Sequence, residues 1–364
     1  MNTDIRILMI GPVVRTGGVA THTKELTTAL KHIGVNIILY NSSFEGNYSR
    51  LIVNAVKIYN RTFRQFYFSI KLRNAYDLIH VQASGGLAGF LNAIIGSIVA
   101  RYLRKPLVVT FHHSNTRKFV DKYKFLVGTV IKLSSKLILV SSNQKNVFCE
   151  YYPNFKMLQV IPNGYNSFKF MPKDIDYARK KLNIPKDVSV LVNIANLEEY
   201  KGQKYLIEAM KIILTTRQDV MLYIVGKGSQ KDSLRSMINQ LGLQKYVILA
   251  GGNKPPEEIP LWLNACDIFV LPSLSEGNPT VMFEALGCGR PFVGTRVGGV
   301  PEVIVDDRLG ILVEPGDPEA LAQAILQALE REWDHDYIRA YAQQFTWEKI
   351  AEQVVRVYEE VMRK

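Results

Sequence analysis

The chain has 364 residues, a hydrophobic content of 47%, three cysteines and a net charge of +12. This length exceeds what one ordinary core holds, and it predicts two domains of roughly 150–200 residues each. The cysteines form neither a CxxC pair nor a metal-ligand spacing, which disfavours a disulfide framework and favours a reducing, cytoplasmic setting. Because no run of about 18 apolar residues occurs, no membrane-spanning helix is expected.

The positive charge is concentrated in the amino-terminal half. Residues 1–170 hold 22 lysines and arginines against six acidic residues, whereas the remainder holds 23 against 27. A split this large indicates that the amino-terminal half meets a polyanion, either a membrane surface or nucleic acid. A surface kept soluble by its charge is the alternative.

Short apolar strands alternate with longer helical stretches along the whole chain. The first six are predicted at residues 5–10, 35–40, 78–81, 107–111, 137–140 and 158–161. After a polar seam at residues 166–174, six more are predicted at 188–195, 220–225, 247–249, 268–271, 292–294 and 310–313. This rhythm is typical of parallel, doubly wound sheets.

The first turn, residues 11–18, follows a strand and opens a helix near Val19. It lacks the G-x-G-x-x-G spacing, and the second strand does not end in an acidic residue, so an NAD enzyme is disfavoured. Gly17 and Gly18 still let the backbone approach a ligand at the amino end of a helix. A plain tight turn explains the same residues.

Basic and aromatic residues interleave between residues 57 and 73. Basic side chains stand at 57, 61, 64, 71 and 73, and aromatic ones at 59, 63, 66, 67 and 68. This composition predicts membrane contact through Arg61, Arg64, Lys71 and Arg73. A helix that packs its aromatics on the sheet is the main alternative, and a single-strand nucleic-acid surface is the least favoured.

Two polar residues follow strands of the amino-terminal half. His112 ends the fourth strand, and Asn163 lies in a turn after the sixth. A histidine at the carboxyl edge of a strand can hydrogen-bond a substrate, although a structural histidine is the alternative. No Ser–His–Asp or Cys–His set is identifiable beside it.

Lys201 and Gly202 stand in the loop after the first strand of the carboxyl-terminal half, and Gly226 to Gly228 repeat the layout one strand later. A lysine there can act as a single positive charge near a phosphate. A surface lysine is the alternative for Lys201, and the more favoured interpretation for Lys227.

The stretch 271–289 reads as a strand end, a turn and a helix. Asn278 is predicted to be the N-cap and Pro279 the first helical residue. Glu276 precedes the helix and Glu284 lies within it. Free backbone N–H groups at this position attract phosphate, and carboxylates accept hydrogen bonds from sugar hydroxyls. A capped helix with two surface glutamates is the alternative.

Taken together, these motifs resemble the retaining glycosyltransferases of family 4, which have the GT-B fold. The resemblance covers nearly the whole chain in order and rests on residues 17–18, 110–112, 160–164, 201–202, 226–228, 271–284 and 297–302. It implies an α/β architecture of two facing Rossmann-like, doubly wound domains with a cleft between them. Residues 1–168 would bind the acceptor, joined by a tail helix over about 346–364 that crosses back. Residues 169–345 would bind the nucleotide sugar.

The resemblance also implies roles for individual residues. Glu284 would accept hydrogen bonds from the ribose, Lys201 would neutralise the diphosphate, and His112 would contact the transferred sugar, so that His112, Lys201 and Glu276 form the catalytic set. The implied donor site comprises Gly17, Gly18, Asn163, Asn196, Lys201, Glu276, Gly277, Asn278, Pro279, Thr280 and Glu284. Asn196 stands where the family often has an arginine, so one phosphate-binding charge is absent.

The implied activity is transfer of a sugar, with retention, from a UDP- or GDP-linked donor to a glycan or lipid-linked acceptor in cell-surface polysaccharide or glycolipid synthesis. A sugar-nucleotide 2-epimerase and a non-catalytic sugar-nucleotide binder are the alternatives. Neither a cofactor nor a metal is expected, and a nucleic-acid partner is not expected either. The expected location is the cytoplasm, with peripheral contact on the inner face of the membrane. The base, the sugar and the acceptor are left open.

Overall fold

The computed structural model describes residues 5–13, 17–44, 49–84, 86–252, 254–255 and 257–363. Part of the predicted first turn, residues 14–16, and the last residue of the predicted tail, 364, lie outside these ranges. The chain divides into two compact units. The amino-terminal unit comprises the described residues up to Gly164 and from Trp347 onward, and the carboxyl-terminal unit runs from Tyr165 to Thr346.

The amino-terminal unit contains a six-stranded sheet in the order β2-β1-β3-β4-β5-β6, with every neighbouring pair parallel. Its strands are β1 Arg6–Gly11, β2 Asn36–Asn41, β3 Leu78–Ser84, β4 Leu107–His112, β5 Lys136–Leu139 and β6 Leu158–Val160. The central strands are buried on both faces, which explains why they read as continuous apolar runs rather than as an alternating pattern.

Helices cover both faces of this sheet. They are α1 Gly18–His32, α2 Arg50–Tyr59, α3 Gln65–Lys71, α4 Leu87–Leu103, α5 Thr116–Leu133, α6 Ser142–Tyr151 and the last helix, Trp347–Met362. The last helix packs beside α1 on one face, where Trp347 and Val354 join Leu26 and Leu30 in one apolar cluster. On the other face, α4, α5 and α6 contribute Phe90, Phe119 and Phe148 to a second cluster.

The carboxyl-terminal unit contains a second parallel sheet in the order β12-β11-β10-β7-β8-β9. Its strands are β7 Ser189–Ile194, β8 Val220–Val225, β9 Val247–Gly251, β10 Ile268–Leu271, β11 Phe292–Thr295 and β12 Gly310–Val313. Its helices are α7 Ile175–Leu182, α8 Gln203–Thr216, α9 Lys231–Gln240, α10 Ile259–Ala265, α11 Thr280–Gly287, α12 Val300–Val303, α13 Pro318–Glu330 and α14 His335–Ala342. The last helix of the chain, Trp347–Met362, is therefore α15.

All twelve predicted strands are present, and those at 220–225, 268–271 and 310–313 have the predicted limits. The α/β class with two parallel, doubly wound sheets is thereby confirmed. The start of α13 illustrates a side-chain cap. Asp317 accepts a hydrogen bond from the Ala320 amide at 2.8 Å, and Pro318 takes the first helical position. Among the described helices, none is long and apolar enough to cross a membrane.

Candidate active site

The turn between β10 and α11 lies at the carboxyl edge of the second sheet. The helix begins at Thr280, and Pro279 takes the N-cap position with an extended backbone, φ −72° and ψ 117°. The prediction of Asn278 as the N-cap and Pro279 as the first helical residue is therefore wrong by one position. Asn278 is instead buried.

Lys201 and Glu276 form an ion pair at this edge. Lys201 Nζ lies 2.6 Å from Glu276 Oε1, and the Ser273 hydroxyl donates to the same oxygen at 2.7 Å. Both charged side chains are largely enclosed, with 16% of Lys201 and 6% of Glu276 exposed. The two residues come from loops after β7 and β10, which are neighbouring strands of the sheet. The structure thus brings together two of the three predicted catalytic residues.

The two oxygens of Glu276 differ in their surroundings. Oε1 accepts both hydrogen bonds, and no residue in the described part of the chain donates to Oε2. An oriented carboxylate with one oxygen left to accept can bind a hydroxyl group. The Lys201 ammonium has three N–H donors, and the pair with Glu276 uses one of them.

Two glycines allow the neighbouring loops to approach this turn. Gly298 has φ +54°, and a Cβ on it would lie 1.9 Å from the Glu276 carbonyl oxygen. Gly202 has φ +67°, and its Cβ would lie 2.0 Å from the Pro272 carbonyl oxygen. The Gly299 amide also donates to the Gly277 carbonyl at 2.8 Å. The glycine motifs at 201–202 and 297–302 therefore set the position of the Lys201–Glu276 pair.

The other predicted donor-site residues of this unit lie on the same edge. Asn196 is exposed, and its carbonyl accepts a hydrogen bond from Gln203 Nε2 at 3.0 Å. Glu284 is half-buried in α11. The loop of Lys227 hydrogen-bonds the loop of Asn196 through the Leu197 amide, which donates to the Lys227 carbonyl at 2.9 Å. Lys227 itself is exposed, as the surface interpretation predicts.

In the amino-terminal unit, His112 and Asn163 are linked through His22. His22 Nδ1 lies 3.0 Å from Asn163 Oδ1, and the rings of His22 and His112 lie 4.3 Å apart between centroids. Burial lowers the pKa of His22 to about 4, so its ring is neutral near pH 7. Since Asn163 Oδ1 is an acceptor, the proton of His22 lies on Nδ1. Its buried Nε2 then has no donor among the described residues.

His112 is oriented by Gln82. Gln82 Nε2 faces Met9 Sδ at 3.4 Å and His80 Nε2 at 3.2 Å, and its Oε1 lies 2.8 Å from His112 Nε2. A thioether sulfur cannot donate, which places the amide NH₂ toward Met9 and the carbonyl toward His112. His112 therefore carries its proton on Nε2.

Burial lowers the pKa of His112 well below 6.5, so the ring is neutral. Its Nδ1 consequently has a lone pair that can accept a hydrogen bond. His80 continues the network, with Nδ1 2.6 Å from the Tyr358 hydroxyl of α15. Burial lowers the pKa of His80 to about 3.

Gly17 and Gly18 stand at the start of α1, as predicted. Gly17 precedes the helix with φ +146°, and a Cβ on either glycine would meet no atom within 4 Å. Sequence reasoning missed His22, which lies one helical turn after Gly18, and Gln82, which lies on β3 beside His112. Strand order could have identified Gln82, because β3 and β4 are neighbours and their carboxyl ends share one edge of the sheet.

The predicted membrane-contact segment forms α2, a π-helical turn over Asn60–Arg64, and α3. Arg64, Lys71 and Arg73 are exposed, but Arg61 is only 6% exposed. The prediction of Arg61 as a membrane contact is wrong, because the turn that contains it packs against α4 and encloses its side chain.

The aromatic residues of this segment are mostly at the surface. Phe63 is 76% exposed, and Tyr59, Phe66 and Tyr67 are exposed as well. Phe68 alone of the five packs against the core cluster under the sheet. Packing on the sheet therefore does not explain the aromatic composition of the segment.

Known proteins match the chain along nearly its whole length. The model for "Glycosyltransferase Family 4" matches residues 16–167, and that for "Glycosyl transferases group 1" matches residues 174–345. A D-inositol 3-phosphate glycosyltransferase of Acidothermus cellulolyticus is 30% identical over 310 residues, which cover 79% of this chain and 68% of the relative. An uncharacterized glycosyltransferase of Methanocaldococcus jannaschii is 28% identical and covers 95% of each chain.

Another relative is named for its substrates. The UDP-Gal:alpha-D-GlcNAc-diphosphoundecaprenol alpha-1,3-galactosyltransferase of Escherichia coli is 29% identical over 275 residues, which cover 72% of this chain and 69% of the relative.

Among solved structures, HepE of Anabaena, determined in complex with UDP, superposes with a TM-score of 0.75 at 21% identity. The match covers 98% of this chain and 100% of HepE. The sucrose-phosphate synthase of Thermosynechococcus elongatus gives 0.77 at 20% identity and covers 99% of each chain. Identities this low establish the fold, and the fold is that of the GT-B glycosyltransferases. With both family models matched in succession and the motif residues on their strand ends, the chain belongs to the family 4 glycosyltransferases, group 1.

Proposed function

We propose that the carboxyl-terminal unit binds a nucleotide-diphosphate sugar at the loops after β7 and β10. The observation that carries this proposal is the Lys201–Glu276 pair, with Lys201 Nζ 2.6 Å from Oε1 and Oε2 left to accept. The remaining ammonium donors suit a diphosphate, and the free oxygen suits a sugar hydroxyl. The backbone N–H groups at the start of α11 add positive potential.

Further roles follow the family resemblance. Glu284, half-buried in α11, accepts hydrogen bonds from the ribose hydroxyls. His112 contacts the transferred sugar, and its unprotonated Nδ1 serves as a hydrogen-bond acceptor. Gly17 and Gly18 help to hold the phosphates. The remaining proposed donor contacts are Asn163, Asn196, Gly277, Asn278, Pro279 and Thr280.

The proposed reaction is front-face transfer with retention. The bond between the anomeric carbon and the phosphate oxygen breaks, and the acceptor oxygen bonds to that carbon from the same face. The departing phosphate takes the acceptor proton, so no covalent nucleophile is required. Lys201 stabilises the departing charge, a task for which many enzymes use a metal ion. We therefore propose transfer without a metal.

The proposed donor is a UDP- or GDP-linked hexose, and the proposed acceptor is a glycan or a lipid-linked sugar used in cell-surface synthesis. The Escherichia coli relative, named for a diphosphoundecaprenol acceptor and UDP-Gal, supports this choice. So does the basic amino-terminal half, which favours an acceptor close to an anionic surface.

A donor screen tests the proposed function. Thermal shift with a panel of nucleotide sugars should identify the donor, because a ligand that binds the folded state raises its stability. Turnover with that donor, in the presence of EDTA, should persist, and the product should retain the anomeric configuration. Glu284→Ala should abolish transfer while the melting temperature of the free protein stays within a few degrees. A protein that binds no nucleotide sugar, or an active Glu284→Ala variant, would contradict the proposal.

We further propose that α2 and α3 contact the inner face of an anionic membrane. The surface of this segment combines exposed aromatic rings with the charges of Arg64, Lys71 and Arg73. Replacing these three residues with glutamine should weaken the affinity for phosphatidylglycerol vesicles, measured by sedimentation, by about 100-fold, since each contributes about 1 kcal/mol at such a surface. The exposed Lys204 and Lys211 of the other unit provide the matched control. Their replacement with glutamine should leave vesicle sedimentation unchanged. Equal sedimentation of all variants would exclude this surface.

A further inference from the structure

A groove lies on the amino-terminal unit, and none of the residues assigned above lines it. It is formed between α5 and residues 151–155, which comprise the last residue of α6 and the start of the loop to β6, and its volume is about 480 Å³. This volume is in the range of small-molecule sites. The absence of a side chain at Gly128 allows the Tyr152 ring to approach α5, since a Cβ there would lie 3.1 Å from that ring.

The walls of the groove are mostly apolar. The Tyr152 hydroxyl donates to the Lys124 carbonyl at 2.6 Å, and the Tyr151 hydroxyl donates to Asp121. The Thr129 hydroxyl donates to the Phe125 carbonyl at 3.0 Å. Because each of these hydroxyls already has an acceptor within the protein, the surface left for a ligand consists mainly of aromatic rings and methyl groups, with Asn154 as the one amide side chain among the described lining residues.

The charge at the edge of the groove is positive. Lys124 and Lys132 line it, and both are exposed. None of the described lining residues is acidic. The Lys124 ammonium lies over the ring of Tyr151, another lining residue, 5.5 Å from its centroid. An apolar interior with two ammonium groups at its edge suits a molecule with an apolar chain and an anionic head.

The helices on this face of the sheet carry most of the exposed large apolar side chains of the described chain. Eleven of the seventeen large apolar side chains described as exposed fall between residues 51 and 125, on α2 to α5 and the turn that joins α2 to α3. α3 packs beside α4, and α4 beside α5, on the same face of the sheet. Phe125, at the rim, is 86% exposed. The groove therefore lies on the same face of the sheet as the surface proposed to meet the membrane.

We propose that this groove binds one acyl chain of an anionic membrane lipid, with the lipid phosphate between Lys124 and Lys132. Insertion of a chain into a groove with aromatic walls removes apolar surface from water, and the two ammonium groups add attraction for the head. The site is separate from nucleotide-sugar binding, and it would hold this unit on a membrane in one orientation.

Calorimetric titration of the full-length protein with dodecyl phosphate, below its micelle concentration, tests the chain site. We expect saturable binding of one molecule, and no displacement by inorganic phosphate. Thr129→Trp fills the groove and should weaken binding by about tenfold or more. Phe125→Ser removes an exposed ring at the rim and should weaken binding to the same extent. Lys124→Gln and Lys132→Gln should each weaken it about three- to tenfold. Phe63→Ser, which removes an exposed ring outside the groove, should leave dodecyl phosphate binding unchanged.

Vesicles then distinguish a membrane lipid from a free amphiphile. In a Phe125→Trp variant, phosphatidylglycerol with brominated acyl chains should quench the fluorescence of the introduced tryptophan. The wild type gives the background signal of the other tryptophans. Absence of saturable dodecyl phosphate binding, equal binding by Phe125→Ser and wild type, competition by inorganic phosphate, or absence of quenching would each overturn the proposal. UDP binding, measured in parallel, should be the same in all these variants.

Discussion

At the scale of single residues, the proposed donor site contains charges that neutralise each other. Glu276 is enclosed and accepts hydrogen bonds from Lys201 and Ser273 at the same oxygen. An enclosed pair of this kind contributes little net stability, but loss of one partner leaves the other charge uncompensated. Lys201 therefore has a structural role in addition to its proposed role at the diphosphate.

Substitution of the pair separates these two roles. Lys201→Met should lower the free energy of unfolding by about 3 kcal/mol, because it leaves Glu276 enclosed without a counter-charge. Lys201→Met combined with Glu276→Gln should recover most of that loss, yet both proteins should transfer sugar at least about 100-fold more slowly. Urea unfolding and initial rates measure the two effects. Lys204→Met, an exposed lysine nearby, is the control, and an active double variant would refute the assigned chemistry.

The second residue-scale feature is the tautomer of His112. Gln82 Oε1 accepts from Nε2–H at 2.8 Å, so Nδ1 remains an acceptor. We propose that Gln82 is a positioning residue, which acts only through the proposed sugar contact His112. Its own orientation is fixed by Met9 and by His80, which also contacts Tyr358.

Two variants of Gln82 test this role through the pH profile. Gln82→Met removes the acceptor and should lower kcat by about tenfold, with less effect on KM for the donor, because His112 then populates both tautomers. Gln82→Glu places a carboxylate beside the ring and should raise the pKa of His112, which shifts the acid limb of the kcat profile to higher pH. A purely structural role predicts lower activity at an unchanged acid limb, and that result would remove Gln82 from the mechanism.

At the scale of elements, the site depends on loops at the carboxyl ends of adjacent strands. The loop after β11 packs on the turn after β10, and that turn packs on the loop after β7. Glycine is required where two backbones touch, which occurs at Gly298 against Glu276 and at Gly202 against Pro272. The motif glycines thus act by allowing contact between loops.

Gly298→Ala should therefore damage the site itself. Its added Cβ would lie 1.9 Å from the Glu276 carbonyl oxygen, so the turn must move. We expect a loss of about 100-fold in kcat/KM, as for a misplaced catalytic group. Gly242→Ala is a matched control, since Gly242 has φ +70° but a Cβ added to it would meet no atom within 4 Å. That variant should lose about 1 kcal/mol of stability and keep its activity. Equal activity of the two variants would argue against the contact.

At the scale of the whole molecule, the two units differ in charge and in their sensitivity to acid. The amino-terminal unit carries the excess of basic residues and buries His22 and His80 as neutral rings. Burial lowers the pKa of these rings to about 4 and about 3. Because the unfolded chain binds protons near pH 6.5 and the folded one does not, these residues contribute stability above pH 6.5 that is lost as the pH falls toward 4.

The amino-terminal unit should accordingly unfold more readily in acid. Between pH 8 and pH 5, we expect His22 and His80 each to cost about 2 kcal/mol of its free energy of unfolding. Trp347 reports on this unit, and its fluorescence can be followed in urea after Trp262 and Trp333 are replaced by Phe. His22→Asn should reduce the pH dependence by about a third, because burial also keeps the rings of His80 and His112 neutral. Replacement of the exposed His32 should not change it. A flat profile in the wild type would show that the rings are not buried as neutral groups.

The sequence by itself determined the twelve strands, the α/β class and the family, because the alternation of apolar strands and the spacing of the motifs are local properties of the chain. It also located Lys201 and Glu276 at strand ends. Only the tertiary structure decided that these two pair, since they are 75 residues apart and meet because β7 and β10 are neighbours. The burial of Arg61, the Gln82–His112 contact and the groove beside α5 likewise depend on which elements pack together. Composition does not encode that packing, because the same basic or polar residue fits a surface or an interior according to its neighbours.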